Sequence, residues 1–255
     1  MTNKFYEAGE TRAAKVNDLF AAIAPRYDLI NDLQSFGLHR LWKRRLVKLA
    51  QPAAGEQALD LCCGTGDVAF ALARAGAEVI GLDFSEAMLG VARHRAETRE
   101  VEPPRAGNGK ARLPRFEQGD AQALSFEENS FDMVTISYGL RNLADWPLGL
   151  REMWRVAKPG GRLLVLDFGK PDLWVWRQLY FAYLRWFVPV FGKVFCGDSA
   201  THAYILESLR HYPAQRGVEM KMRQMGCRDI RVFPLLGGVM SINYGCKPEP
   251  GLLQD

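Results

Sequence analysis

Along the chain, short unbroken apolar runs alternate with stretches of helical periodicity. The runs are residues 57–63 (QALDLCC), 78–84 (EVIGLDF), 115–119, 131–137 (FDMVTIS), 162–168 (RLLVLDF), 228–234 and 241–246. They are continuous rather than alternating, as strands buried on both faces of a mainly parallel sheet must be. Helical stretches at 67–75, 86–95 and 147–156 separate them, and Ser85 stands as the N-cap of the second. Lys158-Pro159-Gly160-Gly161 reads as a turn, and residues 99–114, rich in Pro, Gly and charge, read as a surface loop. The pattern predicts an α/β fold with a seven-stranded, mostly parallel sheet.

Two segments lie outside that alternation. Residues 13–49 are helical in pattern, broken at Pro25 and Gly37, and predict an N-terminal helical cap over 1–50. Residues 171–216 form a helical, aromatic insertion between the fifth and sixth strands. It holds Trp174, Trp176, Tyr180, Phe181, Tyr183, Trp186, Phe187, Phe191 and Phe195, interrupted by Arg177, Arg185, Pro189 and Lys193. One reading is a lid that accepts an apolar tail, with its basic residues toward lipid headgroups. A second is an amphipathic helix packed on the sheet with snorkelling arginines. A third is a homodimer interface. No uncharged apolar run reaches the roughly 18 residues of a membrane span.

Composition narrows the class. The 255 residues suit one domain, 1–255. A net charge of +4, with no basic run beyond 40–45, argues against a nucleic-acid partner. The five cysteines are odd in number and form no CxxC, which fits reduced thiols and a cytoplasmic location, with peripheral attachment at the inner face of the membrane left open. The first residues lack the apolar core of a secretory signal. No His or Cys cluster has metal-ligand spacing, so no metal is expected.

The candidate site begins where the first strand meets the first following helix, at Asp60-Leu61-Cys62-Cys63-Gly64-Thr65-Gly66-Asp67. Glycines there admit a ligand close to the backbone, and the helix N-terminus offers free N–H groups. The second strand ends at Asp83, whose carboxylate is placed to accept from both ribose hydroxyls. The third ends at Gly119-Asp120-Ala121, where Asp120 is placed for an adenine amino group or as a turn cap. The loop is similar to the acidic, glycine-spaced loop of class I methyltransferases: Asp60, Gly64 and Gly66 fit, and Cys62 replaces the first glycine. The closing pair of strands around Leu235-Leu236-Gly237-Gly238 resembles the hairpin that sets an antiparallel last strand in that Rossmann-like sheet.

Two further stretches resemble the demethylmenaquinone and ubiquinone C-methyltransferases. Residues 27–42 carry Tyr27, Asp28, Asn31, Ser35, His39 and Trp42 at the family's N-terminal spacing, with Ile30 for Met and Gln34 for an aliphatic residue. Residues 155–161 resemble the second signature, followed by Asp167 for the usual Glu and Gly169 for the usual Ser. Between them, residues 137–142 resemble the family's Gly-Leu-Arg-Asn element. The likeness covers roughly residues 16 to 247. It implies an S-adenosylmethionine cofactor contacted at Thr65, Asp83, Asp120, Ala121 and Ser137.

The reaction implied is methyl transfer to a ring carbon of a polyprenyl quinol, in menaquinone biosynthesis. A nucleophilic ring carbon needs a neighbouring phenol to lose its proton. His39 is a candidate base or a packed histidine. Arg141 stabilises a phenolate or forms a surface pair with Asp145, and the resemblance favours the former. Asn142 is placed to hold a quinol oxygen, and Tyr27 to wall the ring or pack in the core. The alternatives are a ubiquinone-pathway benzoquinol or other apolar acceptor, a non-catalytic assembly subunit, and an NAD-dependent oxidoreductase.

Overall fold

The computed structural model describes residues 24, 27–98, 113–196, 206, 208–209 and 211–249. Its strands are β1 (Gln57–Leu61), β2 (Glu78–Asp83), β3 (Arg115–Gln118), β4 (Phe131–Ser137), β5 (Ala157–Phe168), β6 (Arg228–Leu235) and β7 (Met240–Cys246). They form one sheet in the order β3-β2-β1-β4-β5-β7-β6. β1, β2, β3, β4 and β5 pair in parallel, while β7 runs antiparallel to both β5 and β6. The helices are α1 (Tyr27–Ser35), α2 (Leu38–Ala50), α3 (Asp67–Arg74), α4 (Glu86–Glu97), α5 (Trp146–Val156), α6 (Trp174–Cys196) and α7 (Ala214–Gln224). The Rossmann-like α/β sheet with an antiparallel last strand is thus the one read from the sequence.

The central strands are buried on both sides, and each face of the sheet has its own core. Leu59, Leu61, Val134, Ile136, Leu163 and Val165 pack toward α5, α6 and α7. Ala58, Met133, Leu164, Leu166 and Ile242 pack toward α2 and α3. The strand order reverses between β1 and β4, so their carboxyl ends diverge and leave a crevice, the usual ligand position in such sheets.

Three local expectations are corrected. β1 stops at Leu61 rather than Cys63, because Cys62 turns into the left-handed region at φ 51°. The Lys158–Gly161 stretch is not a free turn: β5 starts at Ala157, opposite Phe131, and slips register before Arg162 meets Met133. Gly160 at φ 75° absorbs that bulge, and its N–H donates to Lys247 O at 2.9 Å. Ser85 begins α4 without a side-chain cap. Asp83 instead accepts the Ser85 N–H.

The expected cap helix before Tyr27 with its Pro25 break, the loop over 99–112, and the side chains of Phe187, Pro189, Phe191, Lys193 and Phe195 lie outside the described residues.

Candidate active site

A cavity that with its open mouth takes in about 810 Å³ sits at the carboxyl ends of β1, β2 and β4. Its floor comes from the loop after β1. Cys63 N–H bonds Leu82 O across the sheet at 3.1 Å, and Gly66 N–H closes the turn on Cys63 O at 2.9 Å. Gly66 holds φ 88°, and a Cβ there would sit 2.8 Å from Phe70 Cε2 and 2.9 Å from Phe116 Cζ. Only glycine lets α3 start this close to β3. Across the cavity, a Cβ on Gly139 would collide with Cys62, so the cysteine side chain occupies the space that Gly139 leaves open.

Asp83 is fixed in one orientation. Its Oδ2 accepts the Gly64 N–H at 2.8 Å and its Oδ1 the Ser85 N–H at 2.9 Å. Burial pushes its pKa up, against these backbone N–H groups. The carboxylate keeps acceptor positions for a diol in the cavity. Asp120 Oδ1 accepts the Gln122 N–H at 2.8 Å, which aligns the turn carrying Ala121 along the wall.

Three lining hydroxyls, Ser85 Oγ, Ser137 Oγ and the Tyr138 OH, are buried without a hydrogen-bond partner. Buried polar atoms in native proteins are nearly always paired, so three orphans around one cavity fit a polar ligand such as a nucleoside cofactor. Burial also pushes the Tyr138 phenol well above its usual range. It is therefore a neutral donor at physiological pH. Tyr138 was not singled out as a site residue; its signal was its place one residue after Ser137 at the end of β4.

Of the sequence-predicted residues, Tyr27, Gly64, Asp83, Asp120, Ala121, Ser137 and Asn142 line this cavity together. The others do not line it. Asp60 is buried beneath the loop, where its Oδ1 accepts from Thr135 Oγ1 at 2.7 Å, and burial raises its pKa to about 7. Thr65 turns its hydroxyl to Asp28 Oδ1 at 3.0 Å. Gly66 shapes the turn from below. His39 is buried on α2, with Nε2 2.8 Å from Asp32 Oδ1, and burial lowers its pKa.

Arg141 is held behind the cavity wall. Its Nη1 donates to Asp167 Oδ1 at 3.0 Å and to Tyr138 O at 2.5 Å, and its guanidinium lies 4.5 Å from the Phe168 ring centre. Asp167 Oδ2 also accepts the Arg141 N–H at 3.0 Å. The alternative reading of Arg141, a surface pair with Asp145, is not the arrangement seen: Arg141 is buried against Asp167, and Asp145 Oδ1 caps α5 by accepting the Leu148 N–H at 2.9 Å. Asp167, noted in the sequence only as a departure from a family pattern, is the buried anchor of this turn. Asn142 Nδ2 donates to the same Tyr138 carbonyl at 3.1 Å. Among the described residues no three His, Cys, Asp or Glu side chains group as a metal site.

A model of the ubiE/COQ5 methyltransferase family matches residues 7–247. The chain is 35% identical over 243 residues to a demethylmenaquinone methyltransferase of Bacillus cereus, covering 94% of this chain and 98% of that one. It is 40% identical over 240 residues to a ubiquinone/menaquinone biosynthesis C-methyltransferase UbiE of Azotobacter vinelandii, covering 93% and 91%. In fold it is similar to an S-adenosylmethionine-dependent methyltransferase of Thermotoga maritima, described as a possible histamine N-methyltransferase, with TM-score 0.62, 18% identity, and coverage of 90% of this chain and 98% of that one. It is also similar to phosphoethanolamine N-methyltransferase 2 of Haemonchus contortus in complex with S-adenosyl-L-methionine, with TM-score 0.58, 18% identity, and coverage of 81% and 52%.

Proposed function

The chain belongs to the ubiE/COQ5 methyltransferase family, and we propose that it uses S-adenosylmethionine to methylate a ring carbon of demethylmenaquinol, a polyprenyl naphthoquinol. The observation that carries this is the crevice at the carboxyl edge, where Asp83, Asp120 and three unpartnered hydroxyls converge. Membership in a methyltransferase family removes the oxidoreductase and assembly-subunit readings. A ubiquinone-pathway benzoquinol is the second acceptor, supported by relatives 39% and 40% identical that are named for both pathways.

Asp83 takes the ribose hydroxyls, Ser85 and Ser137 pair with polar atoms of the cofactor, and Asp120 with Ala121 borders the adenine. The bound cofactor supplies an activated methyl group on sulfur. The protein then has to align the acceptor carbon with that bond and keep water out. Tyr27, whose Cε1 lies 3.9 Å from the Cβ position of Gly64, roofs the cavity from α1. Asn142 and the Tyr138 OH hold the quinol oxygens. As the phenol ionises, the Tyr138 hydroxyl donates to its oxygen and stabilises the negative charge. Arg141 acts from behind, as a positioning residue that holds residues 138–142 against Asp167. His39 braces the cap through Asp32 and takes no part in the proton transfer. The ring carbon gains the methyl and loses its hydrogen, so one proton is released for each methyl transferred. The inward faces of the helical cap and of α6, the latter with Tyr180 and Leu184, complete the domain as a lid over the acceptor.

The test is methyl transfer from labelled S-adenosylmethionine to short-tailed acceptors. Label on the demethylated naphthoquinol supports the proposal. Label on the benzoquinol alone moves the protein to the second reading, and label on neither refutes both.

A further inference from the structure

Helix α6 has two apolar faces. Tyr180 and Leu184 are buried in the core. A second row, Val175, Leu179, Ala182 and Trp186, is exposed, with Trp186 67% accessible. Spacings of four, three and four residues place that row on one side of the helix. Leu173 and Trp174, also exposed, extend it at the N-terminal end. A helix that serves only the fold turns polar residues outward, so a continuous apolar row marks a docking surface.

The surface continues onto the cap. Tyr183 OH reaches Gln34 O at 3.4 Å, which joins α6 to α1 just before the α1–α2 corner. At that corner Phe36 is 78% exposed, and Leu41 is exposed one turn later. The two helices that carry these groups, α2 and α6, have charge of one sign. Residues 173–196 contain Arg177, Arg185 and Lys193 and no acid. Helix α2 contains no acid either, and its Arg40, Arg44, Arg45 and Lys48 are exposed. The acids that precede α6 and α2 in the chain are engaged: Asp172 with Arg216 at 2.8 Å and Asp32 with Arg40 at 2.6 Å. No helix among the described residues is long and apolar enough to cross a membrane.

We propose that the outer row of α6 and the α1–α2 corner dock on an anionic lipid surface, at the end of α1 opposite Tyr27, which lines the cavity. The aromatic and aliphatic side chains enter the headgroup region while the arginines and lysines meet phosphates. A second copy of the chain fits less well, because its matching face brings the same positive charge. In its use, delivery of a membrane-held acceptor to the cavity, the proposal rests on the quinol reading above; the docking itself does not.

The experiment is sedimentation of the full chain with vesicles of phosphatidylglycerol and phosphatidylcholine, or of phosphatidylcholine alone, without quinol. Binding is expected on the anionic vesicles and to weaken with salt. R44Q/K48Q is expected to lower partitioning roughly 25-fold, about fivefold for each basic residue near an anionic surface. L179E/W186E is expected to abolish it. Both variants should keep wild-type methyl transfer to a short-tailed acceptor in solution, which shows that they fold, and lose transfer to a long-tailed acceptor in vesicles. Wild-type protein that stays in the supernatant overturns the proposal. So do variants that bind as well as wild type, or a dimer by light scattering that L179E/W186E separates. Vesicle binding without transfer to any quinol leaves docking standing and removes the quinol reading.

Discussion

In the proposed reaction Tyr138 carries the chemistry that separates a binding cavity from a catalytic one. Its hydroxyl is buried, unpartnered and kept protonated by burial, so it donates best to an oxygen that becomes charged. Hydrogen bonds to charged groups contribute about 1.5–3 kcal/mol, so Tyr138→Phe is expected to lower kcat roughly tenfold to a hundredfold with little change in cofactor affinity. Steady-state kinetics with both substrates varied measures this, and an unaltered kcat removes the hydroxyl from the mechanism. Asp83 makes the opposite prediction. Asp83→Ala leaves the Gly64 and Ser85 N–H groups and the ribose without their acceptor, and should weaken S-adenosylmethionine binding by about 1–3 kcal/mol in calorimetry. The two side chains were not equally legible. Asp83 is visible in the sequence because a carboxylate at the end of the second strand has one obvious use. Thr65 looked equally well placed, yet it turns to Asp28, a residue 37 positions earlier that no local pattern connects to it.

At the scale of elements, what was legible is what periodicity controls. The central strands and the helices between them follow from burial on both faces, whereas the edge strands β3 and β6 bury no residue fully and are carried by their pairing to β2 and β7; the antiparallel β7 follows from the short link after β6. What was not legible depends on contacts between elements. Cys62 ends β1 early because Gly139, on another strand-to-helix connection, leaves room for its side chain. The β5 bulge is held by Lys247 from beyond β7. The turn from 138 to 142 is the functional case. It is shaped by Asp167, which receives both the backbone N–H and the guanidinium of Arg141. Both side chains are buried, so removing one charge leaves the other uncompensated. Asp167→Asn is therefore expected to cost about 3–5 kcal/mol in urea unfolding. Asp167→Glu should recover most of the stability but misplace Asn142, lowering kcat more than cofactor affinity. A glutamate variant with wild-type kcat would reduce Asp167 to a purely structural role.

For the whole molecule, one ionic network joins the cap to the cofactor loop. Asp67, at the start of α3, pairs with Lys43 of α2 at 2.8 Å and with Arg95 of α4 at 3.0 Å. Arg95 also donates to Thr65 O at 2.8 Å and approaches Asp28 of α1 at 3.4 Å. Four segments that are distant in sequence, α1, α2, the loop that leads into α3, and α4, thus join through Asp67 and Arg95 beside the site. Burial raises the Asp67 pKa, but the Lys43 and Arg95 charges outweigh it and hold the group well below the usual carboxylate range. A folded pKa below the unfolded one adds stability above the unfolded value, about 4, and that stability is lost as pH falls below it. Thermal unfolding should therefore show the melting temperature falling as pH drops below about 4. Asp67→Asn should lower the melting temperature at neutral pH, because Lys43 is left buried without its partner, and should flatten the acid limb of the curve. Cofactor binding should weaken in the same variant, since the loop after β1 loses its tie to α1 and α2. An acid limb identical in wild type and variant would assign the acid sensitivity to other carboxylates and uncouple this network from the stability of the cap.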